Sequence, residues 1–555
     1  MISPSSTWST ALMLSGCLVL ACGGAGGAGA SLAASGGSGT GGTPSGSTAG
    51  SSPSADLTQA LTLSAAEAPW SAVFVGSASA RAHTIEFRNT TSIMLKVRAE
   101  LAGADAADFL FERALQGDNL PSGQSDWVSV LFAPTASGDK QAKVQFTVSD
   151  PNEPSNTQLF SVELRGTASP WSYLGPRGFS AASAGSFLKL SDPSNPGRKG
   201  RSDDRSISLA ADESGVYIAF KDNSRLNNSA DTESGKLTVM KHDGQAWVPL
   251  GSPGFSSGDA MWISMAVHHG TPYVAFTDGL DPSAPEEGKA TVMKFDGQAW
   301  APLGSERFTP ASAAYNSLFI VENGGDPELY LSFQDGAPHL EIDGNDRHCS
   351  LSVMRFGGTT WEYVGQPAFS FPEQSGSTTS VAVARGVVFA AYGSGLFRYD
   401  DSAGTWSKVT AFSSTSTALT IDQTGDLYLA AAELPNAGKL SVYQYAAGEL
   451  VPLGAPSFSQ GSASFVSLGW HSQNLLAAFT DSGMYGSSVA GGAVVAELLG
   501  GEWKVVGSGP ASQGAANHVT MASSAGQVYV GFKDEEERAA QSMEGSGKAS
   551  VLKMR

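Results

Sequence analysis

Apolar and polar residues alternate along five short runs in the first third of the chain: 83–89 (HTIEFRN), 94–101 (MLKVRAEL), 127–132 (WVSVLF), 143–149 (KVQFTVS) and 159–165 (LFSVELR). A period of two is that of a strand with one face buried and one wet, and turn-forming residues separate the runs. The pattern predicts an antiparallel, immunoglobulin-like β-sandwich over residues 57–168.

From residue 171 the alternation is organised at a longer period, which marks a repeat architecture. The fullest copies span 207–251 (ISLAADESGVYIAFKD, then KLTVMKHDGQAWVPLG) and 263–304 (ISMAVHHGTPYVAFTD, then KATVMKFDGQAWAPLG). Weaker copies at 317–365, 379–410, 418–454, 465–507 and from His518 onward bring the count to seven, each with four short strands, A to D. Four-stranded units of this length are the signature of propeller blades. The last unit supplies only strands A to C, while Trp171-Ser172-Tyr173-Leu174-Gly175 reads as a D strand with no blade before it. Pairing these pieces leaves no open edge. The expected fold is therefore all-β: a sandwich, then a seven-bladed β-propeller over 171–555, closed by its N- and C-terminal strands. Val239, Val292, Val353 and Val551 are expected between blades, and Trp247, Trp300, Trp361, Trp406 and Trp503 on the outer strands.

Loop lengths then distinguish the two faces of the disc. The A–B and C–D turns are short, whereas segments 176–206, 222–235, 278–288, 335–348 and 534–547 are B–C or D–A connections on the other face. Function is usually carried on loops held by a rigid scaffold, so a ligand site is expected on this long-loop face.

Composition narrows the function. Asp and Glu number 52 against 33 Lys and Arg, a net charge of -19, and only 15% of the 555 residues are charged. A phosphate-binding surface wants the opposite balance, so no nucleic-acid partner is expected. Residues 1–55 carry no Asp, Glu, Lys or Arg, and 11–20 (ALMLSGCLVL) are almost wholly apolar. That stretch is too short to span a bilayer and suits the core of a signal peptide.

The sequence Val19-Leu20-Ala21-Cys22 resembles a bacterial lipobox. The resemblance implies a signal peptide over 1–21 and lipidation of Cys22; Leu14-Ser15-Gly16-Cys17 also fits, with a shorter apolar core before it. Residues 22–56, rich in Gly, Ala, Ser and Thr, read as a flexible tether. Once the signal is removed, Cys349 is the only other thiol, so no disulfide can form within the folded body. The expected location is the bacterial cell envelope, lipid-anchored at the outer membrane or cell surface.

Further along, 84–91 (TIEFRNTT), Leu120-Pro121-Ser122-Gly123, 130–135 (VLFAPT) and Leu164-Arg165-Gly166-Thr167 resemble the immunoglobulin-like modules of the ASPM, SPD-2 and Hydin type. That likeness implies a spacer or docking role. The whole chain resembles exported bacterial lipoproteins that carry such a module before a kelch- or galactose-oxidase-like propeller. Its repeat has neither the kelch Gly-Gly pair in register nor the WD signature, so no active site carries over.

Five B strands end in aspartate: Asp222, Asp278, Asp335, Asp481 and Asp534, with Glu433 at a similar place in another blade. No cofactor is expected, although a ring of carboxylates at one mouth could hold Ca²⁺ or a cationic ligand; equally, each could accept hydrogen bonds from its own loop. No segment has EF-hand spacing. Residues 339–349 (HLEIDGNDRHC) gather the densest set of metal-ligating side chains but match no zinc signature. Gly254-Phe255-Ser256-Ser257-Gly258 fits the nucleophile-elbow pattern only because it belongs to the repeat. Asp401 to Trp406 (DSAGTW) echoes an Asp-box turn with its Asp one place off. The resulting expectation is a non-catalytic, membrane-anchored binding protein that takes a polysaccharide or an envelope protein on its long-loop face. The alternatives are a glycan-active hydrolase or lyase and a structural scaffold in an envelope complex.

Overall fold

The computed structural model describes residues 55–79, 81–185, 206–226, 235–279, 288–322, 325–342, 346–370, 373–374, 377–484, 491–507, 509–538 and 547–555. Cys17, Cys22, the signal segment and nearly all of the tether lie outside the described residues. Among the described residues no helix is long and apolar enough to cross a membrane.

Alternation in the first runs produces two facing sheets. One orders Leu61–Leu63, His83–Asn89, Ser125–Phe132 and Phe109–Arg113; the other orders Glu67–Phe74, Glu153–Ser169, Gly138–Asp150, Leu95–Ala102 and Asn119–Leu120. Their inward residues, among them Ile85, Phe87, Val97, Val130, Phe132, Phe146 and Leu164, form one core. The pairing is not wholly antiparallel, since Glu67–Phe74 runs parallel to Glu153–Ser169. Asn89 is fully buried and pins the adjoining turn, donating to the Ile93 and Leu120 carbonyls and accepting from Thr91. His83 is tied to the Pro69 carbonyl at 2.6 Å.

The remaining strands form seven blades of four strands, to one of which, blade 3, the short strand Glu373–Gln374 adds a fifth. In chain order, blades 1 to 6 begin with A strands Ile207–Asp212, Asp259–His268, Ala313–Val321, Ser380–Ala384, Ser414–Ile421 and Ala463–His471. Blade 7 joins Ala516–Ser524, Gln527–Arg538 and Gly547–Met554 to Trp171–Tyr173 as its fourth strand, with Trp171 opposite Met554. Each A strand packs on the next, and that of blade 7 packs back on blade 1, so the ring is closed. A belt of hydroxyls ties these inner strands: Ser208, Ser264, Ser380, Ser416, Ser467 and Thr520 accept the backbone N–H of Met265, Leu318, Leu419, Val466, Met521 and Leu209 in the neighbouring blade. Val239, Val292, Val353 and Val551 are buried as expected.

The tryptophans lock one blade to the next. Indole Nε1 of Trp247, Trp300, Trp361, Trp406 and Trp503 donates at 2.7–2.8 Å to Leu174, Leu250, Leu303, Val364 and Leu453 in the preceding blade. A phenylalanine from the loop that leaves the preceding blade (Phe179, Phe255, Phe308, Phe369 or Phe458) stacks on each indole. Glycine is required beside them: Gly454 has φ +69°, and a Cβ there would meet Trp503 Cδ1 at 2.9 Å. Blade 3 departs from the expected loop, because 335–348 continues as strands, with Leu340 opposite His348. The side chains of the 339–349 cluster lie outside the described residues.

Candidate functional site

Of the five B-strand aspartates only Asp481 ends its strand, since bulged or continuing pairing carries the others on to Leu226, Gly279, Ile342 and Arg538; all five are buried, none more than 5% exposed. In blade 1, Thr238 donates its hydroxyl to Asp222 at 2.9 Å and accepts the Gly254 N–H at 2.9 Å. The same relay runs Ala368–Ser352–Asp335 in blade 3, Ser457–Ser441–Glu433 in blade 5 and Gly178–Ser550–Asp534 in blade 7. The donor residues Gly254, Ala368, Ser457 and Gly178 have φ between 51° and 68°, so each relay fastens the left-handed bend that delivers the stacking phenylalanine. Ser256 belongs to this hook too: it accepts the Leu237 N–H and donates to the Gly258 carbonyl.

Asp481 holds its loop directly through the N–H groups of Gln460, Gly461 and Gly483. Asp534 also takes a bidentate contact from Arg177 at 2.7 and 2.9 Å, which holds that guanidinium above its ordinary pKa. Asp278 is different. Its Oδ1 accepts the Gly258 N–H, but its buried Oδ2 has no hydrogen-bond partner among the described residues. Burial, helped by the nearby Glu306 charge, pushes its pKa up to about 6. Among the described residues, no three of these carboxylates bring ligand oxygens together; the group of three metal-ligating side chains that does converge is His268, His269 and Glu322.

At the long-loop end of the A strands five carry a bulge, and in four of them, those of blades 2, 3, 6 and 7, it has a left-handed residue. It places Trp262, Tyr315, Phe465 and His518 at φ of 46–54°, a strain of roughly 1–3 kcal/mol each. All four are buried; Trp262 lies 5.5 Å from Tyr315, and Phe465 stacks on His518 at 4.5 Å. Buried ion pairs lie near by in sequence: Lys221 with Asp259 at 3.1 Å and Lys533 with Glu535 at 3.5 Å.

Two cavities flank blade 4 on the short-turn face, one of about 520 Å³ against blade 3 and one of about 420 Å³ against blade 5. Val387 and Arg398 line both, so the two read as successive parts of one groove. Tyr330, Tyr363 and Tyr399 line the larger part, with Glu328, Glu362 and Asp400. Arg355 Nη1 donates to Glu328 at 3.2 Å, and Arg385 pairs with Asp426 at 2.6 Å. The exposed Arg398 guanidinium makes no hydrogen bond to the described residues. Burial first, then Glu328, pushes the Tyr330 phenol up to about 12; burial and Asp335 raise Tyr363 as well. Asp400 lies below its ordinary range because the Ser402 hydroxyl and the Ala403 N–H bind it.

The smaller part of the groove lies where the repeat fails, whereas the larger part borders a junction whose Trp406 lock is intact. At the place of the locking tryptophan blade 5 has Leu450, opposite Tyr445 as Trp247 is opposite His242. Phe389 against Tyr445 at 5.0 Å is what bridges that junction. The sequence reading directed attention to the long loops and passed over this face. The missing tryptophan was the signal available.

No family model matches the chain, and no curated protein matches it by sequence. Among solved structures, it is similar to a PapD-like domain of human CEP192, at 16% identity over 21% of this chain and 91% of that one, TM-score 0.17. It is similar to a PL25 ulvan lyase, a polysaccharide lyase bound to -[GlcA(1-4)Rha3S]-, at 13% identity over 68% and 95%, TM-score 0.39. An exo-1,5-α-L-arabinanase from a bovine ruminal metagenomic library gives 12% identity over 54% and 94%, TM-score 0.28. At such scores these likenesses carry no argument about activity.

Proposed function

We propose that this protein is a non-catalytic polysaccharide-binding propeller whose ligand lies in the groove around blade 4. The observation that carries this reading is the pair of cavities sharing Arg398. Tyrosines offer flat faces to sugar rings, and a guanidinium fork pairs two hydroxyls or a carboxylate at once. General acid–base work needs groups whose pKa lies near the operating pH. In the groove the shifts run the other way, with Tyr330 and Tyr363 held protonated and Glu328 engaged by Arg355, which favours binding over catalysis. Lipidation at Cys22 and a place in the bacterial envelope complete the proposal, with the tether holding the disc off the membrane.

The test is a glycan array on the full-length protein, covering neutral and uronate-containing polysaccharides, with released reducing ends and unsaturated products assayed in parallel. Retention without release is expected, and Arg398→Ala is expected to weaken it about tenfold, the worth of a charge-assisted hydrogen bond. Product release would move the protein to the glycan-active enzymes. A second reading, a site at the long-loop channel mouth, is favoured by the strained aromatic bulges there; retention lost in Trp262→Ala and kept in Arg398→Ala would select it. Palmitate labelling abolished by Cys22→Ala checks the anchor.

A further inference from the structure

We propose that His268, His269 and Glu322 form a binding site for a divalent transition cation, zinc before others, at the junction of blades 2 and 3. His268 ends strand A of blade 2, His269 begins its A–B turn, and Glu322 follows strand A of blade 3. Neighbours along a strand point to opposite faces. Here φ of 47° at His269 folds the turn back, and the two imidazoles lie 4.3 Å apart at 61°. One ligand atom from each of the three residues lies within 4.8 Å of the others. Ligands around a tetrahedral zinc sit about 3.4 Å apart, given Zn–N and Zn–O bonds of about 2.0–2.2 Å, so modest rotation of these side chains closes the shell. Two nitrogens and a carboxylate oxygen also leave a fourth position open to water.

Comparison with other junctions supports the assignment. At two other junctions successive A–B turns are clamped directly: Asp212 accepts the Gly270 N–H at 2.6 Å between blades 1 and 2, and Arg385 pairs with Asp426 between blades 4 and 5. Between blades 2 and 3 the three converging side chains make no hydrogen bond to one another or to other described residues. A bound cation would supply the tie that those two junctions make within the chain.

The experiment uses full-length protein stripped with chelator, titrated with Zn²⁺ by calorimetry and with Co²⁺ by visible absorption, with melting followed in both states. One equivalent is expected, with a nitrogen- and oxygen-ligated cobalt spectrum and a zinc-dependent rise in Tm. Glu322→Gln and the double variant His268→Ala/His269→Ala should weaken zinc by more than the roughly 10- to 100-fold that loss of an outer-sphere partner costs. Equal melting of chelated variant and chelated wild type establishes that the variant is folded. Unchanged zinc stoichiometry and affinity in the double variant overturns the proposal. So does a thiolate-to-cobalt band that disappears in Cys349→Ser, which would place the cation at the 339–349 cluster.

Discussion

Blades 1 and 4 are built from the same four strands and differ at their edges. In blade 1, strand B runs through Asp222 to Leu226, the Asp222 carboxylate fastens Thr238 and the Gly254 bend, and Phe255 stacks on Trp300 of the next blade. In blade 4, strand B ends at Tyr392, two residues turn the chain directly into strand C, and no tryptophan arrives from blade 5. The first arrangement fills its junction with aromatic side chains. The second leaves a cavity. The comparison teaches that in this ring the repeated residues are committed to holding blades together, and that a lapse in the repeat extends into the blade 4–5 junction a groove that begins beside the locked junction of blades 3 and 4.

Breaking a lock should have the largest effect. Trp361 is buried, donates to Leu303 at 2.8 Å and stacks on Phe308 at 4.9 Å. Trp361→Ala is expected to cost about 3–5 kcal/mol, read as a lowered urea midpoint. Leu450→Ala, at the junction without a lock, should cost about 2 kcal/mol, the low end for a leucine truncation. Equal losses would erase the distinction between the junctions.

The next test separates Asp278 from the satisfied aspartates. Its folded pKa of about 6 lies above the 3.8 of an ordinary aspartate, so the native state keeps a proton that the unfolded chain releases. Stability contributed by this group is therefore full below pH 3.8 and is lost as pH rises through about 6. Asp278→Asn retains an acceptor for the Gly258 N–H and removes the buried charge. It should stabilise the protein at pH 7 by roughly 1–3 kcal/mol and flatten the slope of stability between pH 4 and 6. Loss of stability at pH 7 would mean that the carboxylate is held there by a partner.

The smallest expected effect sharpens the comparison most. Leu450→Trp rebuilds the lock where it lapsed, so it should fill the smaller cavity and lower glycan retention by about tenfold while shifting stability by less than roughly 1 kcal/mol. Unchanged retention would detach the blade 4–5 junction from the ligand.

Much of the fold was legible because its determinants are local. Period-two runs and the orphan strand at Trp171 were enough for sandwich, blades and ring closure, whereas the recurrent aspartates did not mark the ends of the B strands, most of which run on past them. Their partners were not legible, since Thr238, Ser352, Ser441 and Ser550 are ordinary strand residues until register sets them opposite a carboxylate. Bulges at Trp262 and His518 depend on a one-residue slip between strands, which alternation alone does not reveal. His268, His269 and Glu322 come from two different blades, so spacing along the chain hides what the ring brings together.

Closure has a consequence for biogenesis. Arg555 and Ser172 are bonded at 3.0 Å although 383 residues separate them. Until Gly547–Met554 has been made, Trp171–Tyr173 has no neighbour to pair with, and the ring stays an open arc with two raw edges. Joining such distant segments is slow, because the entropy of bringing them together is lost before their contacts form. The sandwich, with its own core, needs none of these residues and can fold early. A nascent chain thus passes through a stage in which one finished module carries an unsealed arc, whose two edges stay open to other strands until Gly547–Met554 is made.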